Sequence, residues 1–172
     1  MKEVILPSGT HAKIWQKIKL GTFKNVSDLE AEAARRFLLC YSPKEGIKKS
    51  AFTIANQEEW IILTKFTVAD LQMGDCRRYS DICSKAKELG LNMCSIEVPL
   101  QLCIQGPFYP NHTYVNIAID PLQCSSPNSL EIFLLGGYHN RSCLDARTVV
   151  DLLGGNPFPF QDHEEIVFRI ME

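Results

Sequence analysis

The sequence lacks the features that would assign it quickly. No apolar run approaches the ~20 residues a membrane-spanning helix needs. The opening Met1-Lys2-Glu3-Val4-Ile5-Leu6-Pro7 has no apolar core long enough for a signal peptide. Charge of one sign is also missing. The net charge is -2 and the isoelectric point about 6.1, which gives no electrostatic reason to follow a phosphate backbone. Basic runs never exceed a pair, Arg35-Arg36, Lys48-Lys49 and Arg77-Arg78, as a solvated surface would have them. Nucleic acid and membrane are therefore not expected partners. Glycine motifs that cradle phosphates are absent, both G-x-x-x-x-G-K-[ST] and G-x-G-x-x-G, as are the G-x-S-x-G elbow and H-E-x-x-H. The glycine pairs Gly136-Gly137 and Gly154-Gly155 read as turns.

Cysteine is present, but not in a ligating pattern. The seven are Cys40, Cys76, Cys83, Cys94, Cys103, Cys124 and Cys143, and no two stand at C-x-x-C spacing. Neither a zinc ribbon nor a redox pair is written here, so no metal and no cofactor are expected. An odd number set among apolar neighbours, as in Leu102-Cys103-Ile104, suits free thiols that pack as small hydrophobes in a reducing compartment. A cytoplasmic protein is expected. Export as a host-directed or toxin-type protein is the other setting such a sequence allows.

What is there is an ordinary globular composition, 45% hydrophobic and 22% charged over 172 residues. The pattern predicts a loose lead-in over 1–13 and one α+β domain over 14–172. Residues 14–20 alternate as a half-buried strand, stopped by Gly21. Ser27 and Glu30 form a capping box for a helix running to about residue 38. Tyr41 to Lys49 reads as a turn or a short helical piece. Glu59 to Phe66 reads as an interior strand. Thr67 and Asp70 cap a single helical turn. Tyr79, Ile82, Cys83, Ala86 and Leu89 mark an amphipathic helix closed by Gly90.

Glu97 to Gln105 suits helix or strand, with Pro99 arguing against a central strand. Strands follow at 113–119 and at 130–135, the latter ended by Gly136-Gly137. Ser142 and Asp145 suggest a helix to Leu153, and 165–170 alternate as a last strand. Five strands, three or four helices and no regular βαβ rhythm predict an α+β fold with a mixed or mostly antiparallel sheet.

Candidate chemistry rests on few side chains. Glu97 opens an element beside Pro99, and Asp120 ends a strand before Pro121. Paired carboxylates can hold a metal or transfer protons, although helix capping and strand termination account for both. His112 and His139 lie in loops at strand ends, where sites often sit. His163 precedes the last strand, and His11 lies in the lead-in. Cys143 stands four residues after His139 and two after Arg141, the best-placed thiol for activation.

Three blocks carry a resemblance. They are Trp15-Gln16-Lys17-Ile18-Lys19-Leu20-Gly21-Thr22, Glu88-Leu89-Gly90-Leu91-Asn92-Met93-Cys94 with Glu97-Val98, and Ile117-Ala118-Ile119-Asp120-Pro121. Their order over residues 15–122 is similar to a family of small, uncharacterised bacterial cytosolic proteins. That family reads W-K-T-I-K-L-G-T, then L-G-L-E-L-C-P-x-E-V-G-P-x-L-R-L-Q-Y, then I-A-M-E-P-I. It has no established activity, so the resemblance implies positions and no mechanism. Glu97 matches the family's Glu, Gln105 its Gln, and Asp120 replaces its Glu. Pro99-Leu100 replace Gly-Pro, Cys103 replaces Arg, and Gly106 replaces Tyr.

Two functions are expected from these readings. One is a non-enzymatic protein-binding or adaptor module whose partner is another protein. Leu152-Leu153 and Pro157-Phe158-Pro159-Phe160 are its candidate docking surfaces. The other is a small hydrolase or transferase whose polar site is built from Glu97, Gln105, Asp120 and a loop histidine, His112 or His139.

Overall fold

Half of a mixed sheet is made of strands that meet across long stretches of chain, and its centre is the last strand in sequence order. The computed structural model describes residues 2–74, 77–153 and 159–170. The strands are β1 (Glu3–Ile5), β2 (His11–Leu20), β3 (Leu38–Leu39), β4 (Glu59–Thr67), β5 (Leu91–Asn92), β6 (Tyr114–Ile117), β7 (Ser129–Tyr138), β8 (Arg141–Asp151) and β9 (Glu165–Ile170). The helices are α1 (Val26–Arg36), α2 (Tyr41–Ser50), α3 (Tyr79–Glu88) and α4 (Glu97–Gln105), with a 3-10 turn at Ala69–Leu71. Sheet order is β1-β2-β4-β9-β6-β7-β8-β3, and β5 also pairs with β9. Most pairings are antiparallel; β6 with β9 and β3 with β8 are parallel. The fold is α+β with four helices and a mixed sheet, but the sheet has nine strands rather than five.

Local physics explains where the sequence reading holds and where it shifts. The Thr67–Asp70 box forms reciprocally: the Asp70 amide donates to Thr67 Oγ1 at 3.1 Å, and the Thr67 amide to an Asp70 carboxylate oxygen at 2.9 Å. The α1 cap sits two residues early, because Asn25 Oδ1 already accepts from the Asp28 amide at 2.9 Å. Glu97–Gln105 is a helix; Pro99 falls in its first turn, where no intrahelical donor is lost.

Residues 1–13 were expected to be loose. The described part is instead a hairpin, β1 on β2, turned at Pro7-Ser8-Gly9. Ser8 Oγ donates to the Leu89 carbonyl at 2.9 Å and so ties this hairpin to the end of α3. The helix expected from Ser142 to Leu153 is strand β8. Thr148-Val149-Val150 favour a pleated surface, and neither proposed cap serves a helix. Ser142 Oγ accepts from the Tyr109 amide, and Asp145 accepts from its neighbour Ala146.

Gly136-Gly137 do not end β7, which runs to Tyr138. A Cβ on Gly136 would stand 2.1 Å from the Tyr114 ring, so glycine is what lets that ring lie on the strand. Gly154-Gly155, with Pro157 and Phe158, lie outside the described residues.

The two faces of the sheet differ. On one, Phe133 and Leu135 of β7 are buried, and α2 lies so close that a Cβ on Gly46 would meet Cys124 Sγ and the Phe133 ring. Helix α4 packs on β2 and β7, and α1 packs on α4. On the other face, Ile166 and Phe168 of β9 are buried. There α3 approaches from the same side, and Tyr79 stacks on Phe160 with ring centroids 6.1 Å apart. Among the described residues, no helix continues over β6, β7, β8 and β3 on that second face.

Candidate functional site

The five candidate side chains occupy three unrelated places. Glu97 and Gln105 belong to α4, where 97, 101 and 105 fall at i, i+4 spacing along one side of the helix. Glu97 is 1% exposed. One carboxylate oxygen accepts from the Gly21 amide at 2.7 Å and from Gln101 Nε2 at 3.0 Å; the other accepts from the Ala55 amide at 2.9 Å. Gln101 Nε2 also donates to Thr22 Oγ1 at 2.9 Å. Gln105 Nε2 donates to Gln101 Oε1 at 2.7 Å and to the Lys19 carbonyl at 2.8 Å, while its own Oε1 accepts from the Lys19 amide at 2.9 Å. A primary amide that donates to and accepts from one residue's backbone does the work of a neighbouring strand.

β1 pairs with β2 only at residues 11–13, so the Lys19–Thr22 stretch would otherwise be open edge. The polar ladder of α4 seals it. Gln101 is the member the sequence reading missed, and its i+4 place between Glu97 and Gln105 was the available signal.

Asp120 is exposed and lines a hollow of about 430 Å³ with Cys83, Lys87, Asn92 and Phe168. His112 and His139 are turn residues. His112 has φ +63°, His139 +47° and Asn140 +60°. The last two form the tight β7–β8 turn. Asn111 and Asn140 side chains bond each other at 2.6 Å, and the Asn140 amide donates to Asn111 Oδ1 at 2.7 Å, which joins the 109–113 loop to that turn. The polar site expected from Glu97, Gln105, Asp120 and a histidine is therefore not brought to one point.

The six described thiols are quiet. Burial first, then the carboxylate of Asp145, pushes Cys40 up to about 11; burial likewise pushes Cys83 up to about 11 and Cys94 and Cys124 up to about 12. Cys103 and Cys143 are also raised, chiefly by burial. A thiol held protonated is a poor nucleophile, so Cys143 beside Arg141 and His139 is not activated. Among the described residues, no group of three His, Cys, Asp or Glu side chains can hold a metal ion.

The expected docking edge at Pro157–Phe160 is half revised. Phe160 is buried, stacked on Tyr79, with the Arg147 guanidinium 3.9 Å over its ring. Leu152 and Leu153 remain exposed at the end of β8.

A different surface emerges from the register. Paired residues on adjacent strands share a face, so Tyr114, Gly136, Cys143 and Leu38 form one row across β6, β7, β8 and β3. Asn116, Leu134 and Asp145 form the next row, and the Cys40 amide, donating to the Leu144 carbonyl at 3.0 Å, extends it. Tyr138 lies one step above, opposite Arg141. Tyr114 is 46% exposed, Tyr138 54% and Leu38 38%, on β6, β7 and β3, while Cys143 between them in the row is 2% exposed.

The lower half of this face opens into a groove of about 810 Å³ lined by His112, Asn116, Asp145, Arg147 and His163, among others. Arg147 pairs with Glu164, Lys65 with Glu165 at 2.6 Å, and Arg77 with Asp162 at 2.9 Å. The Tyr114 hydroxyl is raised above its ordinary range, first by burial and then by Cys143, Asp145, Tyr138 and Cys40. Comparison with protein-family models, curated proteins and solved structures finds no match for this chain.

Proposed function

We propose that this protein is a non-enzymatic binding module that docks another protein on the uncovered face of β6, β7, β8 and β3. The observation that carries the reading is the row of Tyr114, Gly136, Cys143 and Leu38 with Tyr138 above it. Exposed aromatic and aliphatic groups gathered on one face of a sheet, here Tyr114, Tyr138 and Leu38 around the buried Cys143, are what an interface core is made of. The two tyrosines present broad apolar surface at little cost in side-chain entropy. Support also comes from the candidate catalytic groups: Glu97 and Gln105 are bound to backbone, and the described thiols are held protonated.

The kinship with the small bacterial family is carried here as part of the same proposal. Its shared positions, Glu97 and Gln105, fasten α4 to β2, so the pattern marks a scaffold. A reducing, cytosolic setting fits Cys94, Cys103 and Cys124, which act as buried packing groups.

The test is site-specific photo-crosslinking in the native cell, with the reactive residue placed at Tyr138 or, for comparison, at exposed Trp60 on the β2–β4 side. One defined protein adduct from position 138 that is lost with Tyr114→Ala supports the reading. Equal adducts from both positions, or none from 138, overturns it.

A further inference from the structure

Charge matching on the open face says what kind of side chain its occupant presents. Carboxylates around the groove are paired with cations: Glu164 with Arg147, Glu165 with Lys65 and Asp162 with Arg77. Asp145 is the exception. It lines the same groove and is only partly buried. It accepts from the adjacent Ala146 amide at 2.8 Å, Cys40 extends its row at the end of the neighbouring strand, and among the described residues no ion pair within 4.0 Å reaches it. An unmatched carboxylate in a half-buried setting is costly without a counter-charge. Beside it lies the Tyr114 ring, held flat on the strand by Gly136, with Tyr138 beyond. Aromatic faces next to a carboxylate are the combination that draws a cation, through the ring quadrupole and through direct pairing.

We propose that the open face seats a basic side chain, arginine above lysine, presented by the partner protein. Tyr114, in the row next to Asp145, would be its wall and Asp145 its counter-ion, with Tyr138, one row beyond Tyr114 and opposite Arg141, at the border of the seat. A planar guanidinium can stack on a tyrosine and give two parallel N–H groups to one carboxylate, which a lysine ammonium cannot. The proposal rests on the reading of this face as a docking surface and adds the chemistry of what docks.

The probe is an unstructured peptide, acetyl-Gly-Arg-Gly-Arg-Gly-amide, titrated into the isotope-labelled full chain and followed by NMR. Its match is the same peptide with citrulline, which keeps the shape of arginine and removes the charge. Saturable shifts confined to Gly136, Tyr138 and Asp145, at least about tenfold weaker with citrulline, are expected. Asp145→Asn, which keeps the shape and the acceptor for Ala146, should weaken the arginine peptide by about tenfold or more. Tyr138→Leu, at an exposed position, should also weaken it.

Equal binding of the two peptides, shifts scattered over other surfaces, or no effect of either variant overturns the inference. Failure of the wider reading is separable. If the adduct from position 138 persists in Asp145→Asn while the peptides do not bind, the face docks a partner without a cation. If position 138 gives no specific adduct, the face itself is wrongly read.

Discussion

Two carboxylates at opposite ends of the sheet show how similar residues come to different uses. Glu97 is enclosed, and every direction it offers is met by Gly21, Ala55 or Gln101. Asp145 is half open, with one backbone amide bonded to it and the exposed Tyr114 in the neighbouring row. A saturated carboxylate fixes geometry and has nothing left for a ligand. An unsaturated one at a groove keeps its capacity for whatever arrives. Burial alone would have ranked Glu97 as the functional group; counting its donors reverses that order.

The comparison can be broken most forcefully at the saturated end. Glu97→Ala would leave two backbone amides and Gln101 without their acceptor. About 3–5 kcal/mol of stability should be lost, because three buried neutral donors, each worth about 1–3 kcal/mol when stranded, lose their acceptor, and urea unfolding would read this as a lower midpoint. At the open end, Gly136→Val would drive a side chain into the Tyr114 ring and the Thr113 carbonyl. A loss of about 1–3 kcal/mol is expected, with displacement of Tyr114 visible in its ring resonances.

Gln105→Ala should cost less, about 1 kcal/mol, since solvent can partly replace it. Its signature is local: the Lys19 amide, now without Oε1, should exchange its hydrogen about tenfold faster than in the parent. Asp145→Asn should change stability least, within about 0.5 kcal/mol. A loss there as large as that for Glu97→Ala would abolish the contrast and make Asp145 a structural residue too.

Legibility in the sequence followed the range of the forces involved. Tyr79–Glu88 with Gly90, the Thr67–Asp70 box and the alternation of β9 are set within a few residues, and all three form as expected. Strand β8 was mistaken because Ser142 and Asp145 look like caps until their real partners, the Tyr109 and Ala146 amides, are known. The hairpin of β1 and β2 was hidden by its Pro7-Ser8-Gly9 turn, which from sequence alone resembles a loose end.

The site was less readable still. Glu97 and Gln105 drew notice as polar groups in an apolar stretch, yet their task depends on Lys19, Gly21 and Ala55, more than forty positions away in each case. The row of Tyr114, Gly136, Cys143 and Leu38 exists only through the register of four strands. No spacing along the chain announces it.

The place of β9 bears on how the chain is made. It is the last of the nine strands to be synthesised, yet it lies between β4 and β6 and joins the two halves of the sheet. Until residue 170 has left the ribosome, β4 and β6 each wait with one side unpaired, separated by a strand that does not yet exist. Distant pairings of this kind are slow to close and leave strand edges exposed while they wait. During synthesis the nascent chain is therefore two half-sheets with adhesive margins, and its demand for chaperone protection should peak just before the final strand inserts.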